Sequence, residues 1–213
     1  MLHSMTFLEI EHHIRQKDYS KALTTLEDLS ASLNDGPLDV HMNIKTMICK
    51  ARILQKAGIP QRGFSVALRA ATLAHNAKIL PALWEAVGAL CAILHSLKEF
   101  KASIKLLENI MPQVLECNDC SLAARSFSLL ADAHVGQAGR VQSYPIQCKE
   151  QLSKGLENLN SAFDEFSRMD EVSGQCEMLA KKAMIMHLNG DSVLANDCAA
   201  QYLSIKSAVK EKY

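Results

Sequence analysis

The 213-residue chain is 48% apolar and 22% charged, a balance that belongs to folded proteins and excludes a disordered segment. Lys plus Arg and Asp plus Glu each number 23, so no surplus positive charge is available to neutralise a nucleic-acid backbone or an anionic membrane. Aromatics make up 5%, with nine Gly and five Pro, and an apolar content rich in Leu, Ala, Ile and Met points to an all-α protein.

The N-terminal stretch MLHSMTFLEIEHHIRQKDYS mixes Glu9, Glu11 and Lys17 into its apolar residues, so it lacks the apolar region and cleavage pattern of a secretory signal. His12 and His13 are adjacent and would point about 100° apart on a helix, which places them on the surface and not around one metal ion. The first polar break, KDYSKALTTLEDL from Lys17, carries the small residue Ala22 and divides a first helical hairpin spanning residues 3–34.

A second hairpin is expected over residues 37–78. Its first helix sets Ile44, Met47, Ile48 and Ala51 at i, i+3, i+4 and i+7, one face that grades from large to small. The break IPQRGFSVALRAA follows, with Gly63 as its small residue. The same first helix bears Asn43, Lys45, Lys50 and Arg52, which would grip an acidic peptide if they converged on a concave face. The ordinary alternative is a solvated face.

The third hairpin, residues 80–117, opens in the longest apolar run, Ile79–His95. That run is too short for a convincing membrane span and contains Pro81 and Glu85, so it reads as a buried helix with Trp84, Val87, Gly88 and Cys91 on its face. The break KEFKASIKLLENI places Ser103 at the joint. Cys117-x-x-Cys120 follows, a spacing that suits a zinc knuckle or a redox dithiol. No second ligand pair accompanies it, and it falls between helices where Asp119 or Ser121 can cap the next one, so a structural turn is expected.

The fourth hairpin, residues 120–169, has Phe127, Leu130, Ala131 and His134 on its first helix and Gly155 at the joint EQLSKGLENLNSA. Between them GQAGRVQSYPIQ, residues 136–147, has the composition of an inserted loop. Asp164 and Glu165 beside Phe163 and Phe166 read as the solvated side of an amphipathic helix. The fifth hairpin, residues 172–210, carries Cys176, Leu179, Ala180 and Ala183, then Ala195. Its last helix keeps Leu203, Ile205 and Val209 before Lys210-Glu211-Lys212, where a freestanding array would show a polar cap.

The small residues Ala22, Gly63, Ser103, Gly155 and Ala195 are separated by 41, 40, 52 and 40 positions. A period near forty in a helical sequence marks stacked helix pairs, and the large, apolar, small order with Trp84-x-x-Val87-Gly88 is a tetratricopeptide-type pattern. The expectation is one repeat domain over residues 1–213, an α-solenoid of about five tetratricopeptide-like hairpins of roughly 15 to 20 residues per helix. Such a fold offers a binding surface and not a reaction. No His-Glu-x-x-His pair, Gly-x-Ser-x-Gly elbow or phosphate loop occurs, so no catalytic, cofactor-binding or metal-ligating residues are assigned. The seven cysteines, an odd number scattered through helical patterns, read as reduced thiols of a cytosolic or nuclear protein.

The segments ENIMPQVLECND, LSKGLENLNSAFDEFSRMD and AMIMHLNGDSVLANDCAAQYL resemble, in order and spacing, the C-terminal repeats of the anaphase-promoting complex (cyclosome) subunit 5 family. The likeness runs from Leu106 to Leu203 and is closest at Met111-Pro112-x-Val114-Leu115-Glu116, Glu157-Asn158-Leu159-Asn160 and His187-Leu188-x-Gly190. It implies a non-catalytic scaffold in a ubiquitin ligase, in contact with other subunits of that complex, acting in the cell cycle in nucleus and cytoplasm. No nucleic-acid, membrane or small-molecule partner is expected. The family's chains are several times longer and begin with a separate helical domain, so the resemblance also implies a piece of a longer protein or a short paralogue. A stand-alone adaptor gripping an acidic peptide or chaperone tail is the alternative.

Overall fold

The computed structural model describes residues 2–34 and 39–210, and every regular element among them is an α-helix. In chain order these are α1 (Leu2–Arg15), α2 (Tyr19–Asn34), α3 (Val40–Lys56), α4 (Pro60–Asn76), α5 (Leu80–Ser96), α6 (Phe100–Glu116), α7 (Cys120–Arg140), α8 (Pro145–Arg168), α9 (Val172–Leu188) and α10 (Ser192–Lys210). The chain divides into two compact units, Met1–Lys98 and Glu99–Tyr213. The expected third hairpin therefore has α5 in the first unit and α6 in the second. The expected start of the second hairpin, residues 37–38, lies outside the described residues, as do Glu211, Lys212 and the side chains of Val209 and Lys210.

Seven connections turn on one backbone device. Lys17, Gly58, Lys78, Lys98, Asn118, Asp170 and Gly190 all take a left-handed φ between 54° and 81°. At Gly58 the amide donates to the Gln55 carbonyl at 3.1 Å, and the next amide, of Ile59, donates to Leu54 at 2.9 Å. Asp170 and Glu171 repeat the pair onto Ser167 and Phe166. This double bond is the Schellman ending, which satisfies the last carbonyls of a helix while reversing the chain. The left-handed residue recurs at 17, 58 and 98, and again at 78 and 118, so the forty-residue period is written in the backbone. Where the next helix starts, Asp18, Asp39, Asp119 and Asp191 each accept the amide three residues on, at 3.0 to 3.2 Å. These caps fix the helix starts.

The small residues lie where helices come closest. A Cβ on Gly63 would stand 2.9 Å from the Ala51 carbonyl oxygen, and one on Gly155 would stand 3.2 Å from Val135 and 3.5 Å from the Ala131 carbonyl. Ala51 and Ala131 are themselves the small positions of the first-helix pattern. In the first unit, α1 packs on α2, α3 on α4, and α5 on both α3 and α4. Its cores are Ile10, Ala22, Leu26, Leu29 and Ile53, and Ile44, Ile48, Ala70, Ala74, Ala82 and Ala86. In the second unit, α7 packs on α6 and α8, and α9 on α8 and α10. Ala124, Ala131, Leu152, Leu159, Phe166, Met178 and Ile185 form its centre. Each large aliphatic side chain buried there contributes about 1.5–3 kcal/mol.

One sequence expectation is corrected. Residues 136–147 are not an inserted loop, because α7 continues to Arg140 and α8 begins at Pro145. Only a turn from Val141 to Tyr144 remains, and it carries no left-handed residue. The first glycine in this run serves packing: the Phe100 ring of α6 lies against Gly136, where any Cβ would overlap it. Gln137 and Ala138 are buried by the helix they continue, and Pro145 sits in the first turn of α8, where a missing N–H is harmless.

Candidate interaction surfaces

Asn43, Lys45, Lys50 and Arg52 all lie on α3, and seven-residue spacings sort them into pairs. Asn43 and Lys50 share one side, Lys45 and Arg52 another, and 100° per residue sets the two sides about 160° apart. The Lys45 ammonium stands 4.6 Å from the centre of the Phe7 ring of α1. Lys50 Nζ is 3.1 Å from Glu27 Oε1 of α2. Arg52 is exposed, and the Asn43 carbonyl accepts the Thr46 hydroxyl at 2.8 Å. Two of the three cations are thus engaged by the preceding helix pair. Between them Cys49 is half-buried, and that burial pushes its thiol up to about 11.

Cys117 caps the end of α6 and is exposed, while Cys120 is the first residue of α7. The Cys120 thiol hydrogen-bonds to the Glu165 carboxylate of α8, which raises its pKa. A reactive dithiol needs the opposite shift. Glu165 also receives Arg168 Nη1 at 3.0 Å on both oxygens, and its side chain is only 15% exposed. The expected solvated carboxylate is instead a tie between α7 and α8, because Cys120 and Arg168 meet it there. Among the described residues no group of three or more His, Cys, Asp or Glu is placed to hold a metal ion, and no described helix is long and apolar enough to cross a membrane.

The last helix pair has a buried side and an open apolar side. Met178, Ile185, Met186 and Cys198 are buried. Met184 and Leu188 on α9, one turn apart, are 63% and 60% exposed, and Val193 and Leu203 on α10 are 72% and 64% exposed. On α9 the Lys181 ammonium meets Asp132 Oδ2 at 2.8 Å, Ser128 Oγ at 3.0 Å and Glu177 Oε1 at 3.0 Å, so it clamps α9 to α7. Burial lowers the Lys181 pKa, but Asp132 and Glu177 together outweigh it and the net shift is upward. Asp132 and Ser128 in this clamp, and Cys120 in the Glu165 tie, have no local sequence signal, since they come from a different helix, whereas Glu177–Lys181 and Glu165–Arg168 are ordinary spacings on one helix.

Solved structures share this architecture. One is a putative kinesin light chain with nearly identical TPR-like repeats from Podosopora anserina, 16% identical over 99% of this chain and 96% of that one, with a TM-score of 0.68. Another is BtubC (BKLC) from P. vanneervenii, 11% identical over 98% and 81%, TM-score 0.67. MamA from Desulfovibrio magneticus RS-1, residues 41 to the end, is 17% identical over 96% and 95%, TM-score 0.58. The chain has a tetratricopeptide-like solenoid fold. No protein-family model and no curated protein matches the sequence.

Proposed function

We propose that this chain is a non-catalytic scaffold segment whose last helix pair packs against a helical neighbour, and that its place is in a ubiquitin ligase of the anaphase-promoting type. The observation that carries the scaffold reading is the open face of α9 and α10. Met184, Leu188, Val193 and Leu203 leave bulky apolar groups exposed to water. Covering them with a partner helix pair recovers about 25 cal/mol for each Å² of apolar surface removed from water. The assignment to the ligase rests on the sequence resemblance from Leu106 to Leu203, which includes this helix pair. The role is structural support during cell-cycle-dependent ubiquitination, in nucleus and cytoplasm.

Affinity purification from dividing cells tests both levels. Subunits of the ligase should co-purify with the full chain, and Met184→Glu with Leu188→Glu should remove them while helicity is retained. Recovery of no ligase subunit refutes the complex. Undiminished recovery with the double variant refutes the α9–α10 contact.

A further inference from the structure

The fourth joint is where the forty-residue period gains twelve residues, and those residues build a groove. Helices α3 to α6 and α9 are each 17 residues long, whereas α7 has 21 and α8 has 24. Between α6 and the added turns of α7 and α8 lies an open cavity of about 430 Å³. That volume is in the range of ligand-binding clefts.

On the α6 side, Lys101, Lys105 and Glu108 follow at i, i+4 and i+7, so they share one helical face toward the groove. Among the described residues, no ion pair or side-chain hydrogen bond engages Lys101 or Lys105. The third lysine of the groove, Lys154, is already 2.9 Å from Glu150. On the opposite side the chemistry is that of amides. Gln151 Oε1 bonds His134 Nδ1 at 2.8 Å, which orients its NH₂ group as a donor with remaining capacity. Gln137, 6% exposed, has an Oε1 with no partner, so no protein group locks the orientation of its amide. Its terminal torsion is broad, and it can turn either a donor or an acceptor to the groove.

We propose that this groove binds an acidic peptide segment of a partner protein. Lys101 and Lys105 pair with two of its carboxylates, and Gln137 and Gln151 bond its backbone amides. A compact anion such as phosphate would use the lysines but leave the amides unserved. A peptide brings donors as well as acceptors and extends along α6 with its carboxylates directed to the lysines. Ammonium–carboxylate bonds are charge-assisted and stronger than bonds between neutral groups. This groove is separate from the α9–α10 face, so its failure leaves the scaffold reading intact.

The test titrates the full chain with a fluorescein-labelled peptide of six glutamates, with a six-glutamine peptide as control. Wild type should bind the acidic peptide and not the control. Lys101→Glu with Lys105→Glu should weaken binding by at least about tenfold, the loss of two charge-assisted contacts. Glu108→Gln should tighten it by about two- to fivefold by removing an opposing charge. Lys45→Glu with Arg52→Glu on α3 should leave it unchanged. All of these side chains are exposed, so circular dichroism should report an unaltered fold. No binding, equal binding of the control, insensitivity to the Lys101 and Lys105 changes, or full displacement by inorganic phosphate at low millimolar concentration would each overturn the proposal.

Discussion

The same substitution, Gly to Ala, should change stability in opposite directions at two helical positions, and the sign depends only on packing. Intrinsic helix propensity favours Ala over Gly by about 1 kcal/mol at either place. At Gly139 a new Cβ meets nothing within 4 Å, so Gly139→Ala should stabilise by about 0.5–1 kcal/mol, the lower end applying because α7 ends one residue later. At Gly63 the new Cβ would stand 2.9 Å from the Ala51 carbonyl oxygen and 3.2 Å from Ile93 Cδ1. The Ile93 terminus can rotate, but the carbonyl is held within α3. Overpacking of this kind costs about 1–3 kcal/mol, so Gly63→Ala should be destabilising by about 1 kcal/mol net, and Gly63→Val by about 3 kcal/mol. Urea unfolding followed by far-ultraviolet circular dichroism reads the midpoints. If Gly63→Ala raises the midpoint as Gly139→Ala does, the close approach of α3 and α4 is not what makes this joint require a small residue.

Three further outcomes follow from the turns, the thiols and the clamp. Lys78 holds a φ of 55° between α4 and α5, so Lys78→Gly should stabilise by about 1 kcal/mol by relieving left-handed strain, and a lowered midpoint would contradict this. Under native conditions at pH 8 a thiol reagent should label exposed Cys117 first, while Cys49, pushed up to about 11 by burial, should react only as the chain unfolds. Equal native labelling rates for Cys49 and Cys117 would refute that environment. Lys181→Met should cost about 1 kcal/mol at neutral pH, since the ammonium is partly exposed and its bonds partly screened. Because the folded pKa of Lys181 is raised above 10.5, its contribution is complete below that value and is lost as pH rises through the higher folded one. The gap between wild type and Lys181→Met should therefore be constant from neutral pH to about pH 10 and close above it, as urea midpoints across that range would show.

The sequence by itself determined the helices, their pairing period and the joints. These follow from local chemistry: apolar residues recurring every three or four positions, Asp119 at a helix start, and small residues where two helices must nest. The burial of Ala22 and Ser103 and the close contacts at Gly63 and Gly155 agree with that reading. Tertiary structure alone decided the rest, because the deciding partners lie far apart in the chain. Gly136 has the local composition of a loop, yet Phe100, 36 positions earlier, packs on it. Lys181 reaches Ser128 across 53 positions, Lys50 reaches Glu27 across 23, and Cys120 of α7 meets Glu165 of α8. The twelve extra residues were countable in the sequence, but composition could not show that they lengthen two helices. Gly, Ser and Pro leave a loop and a helix end alike open to the chain, and only the surfaces waiting to be covered select between them.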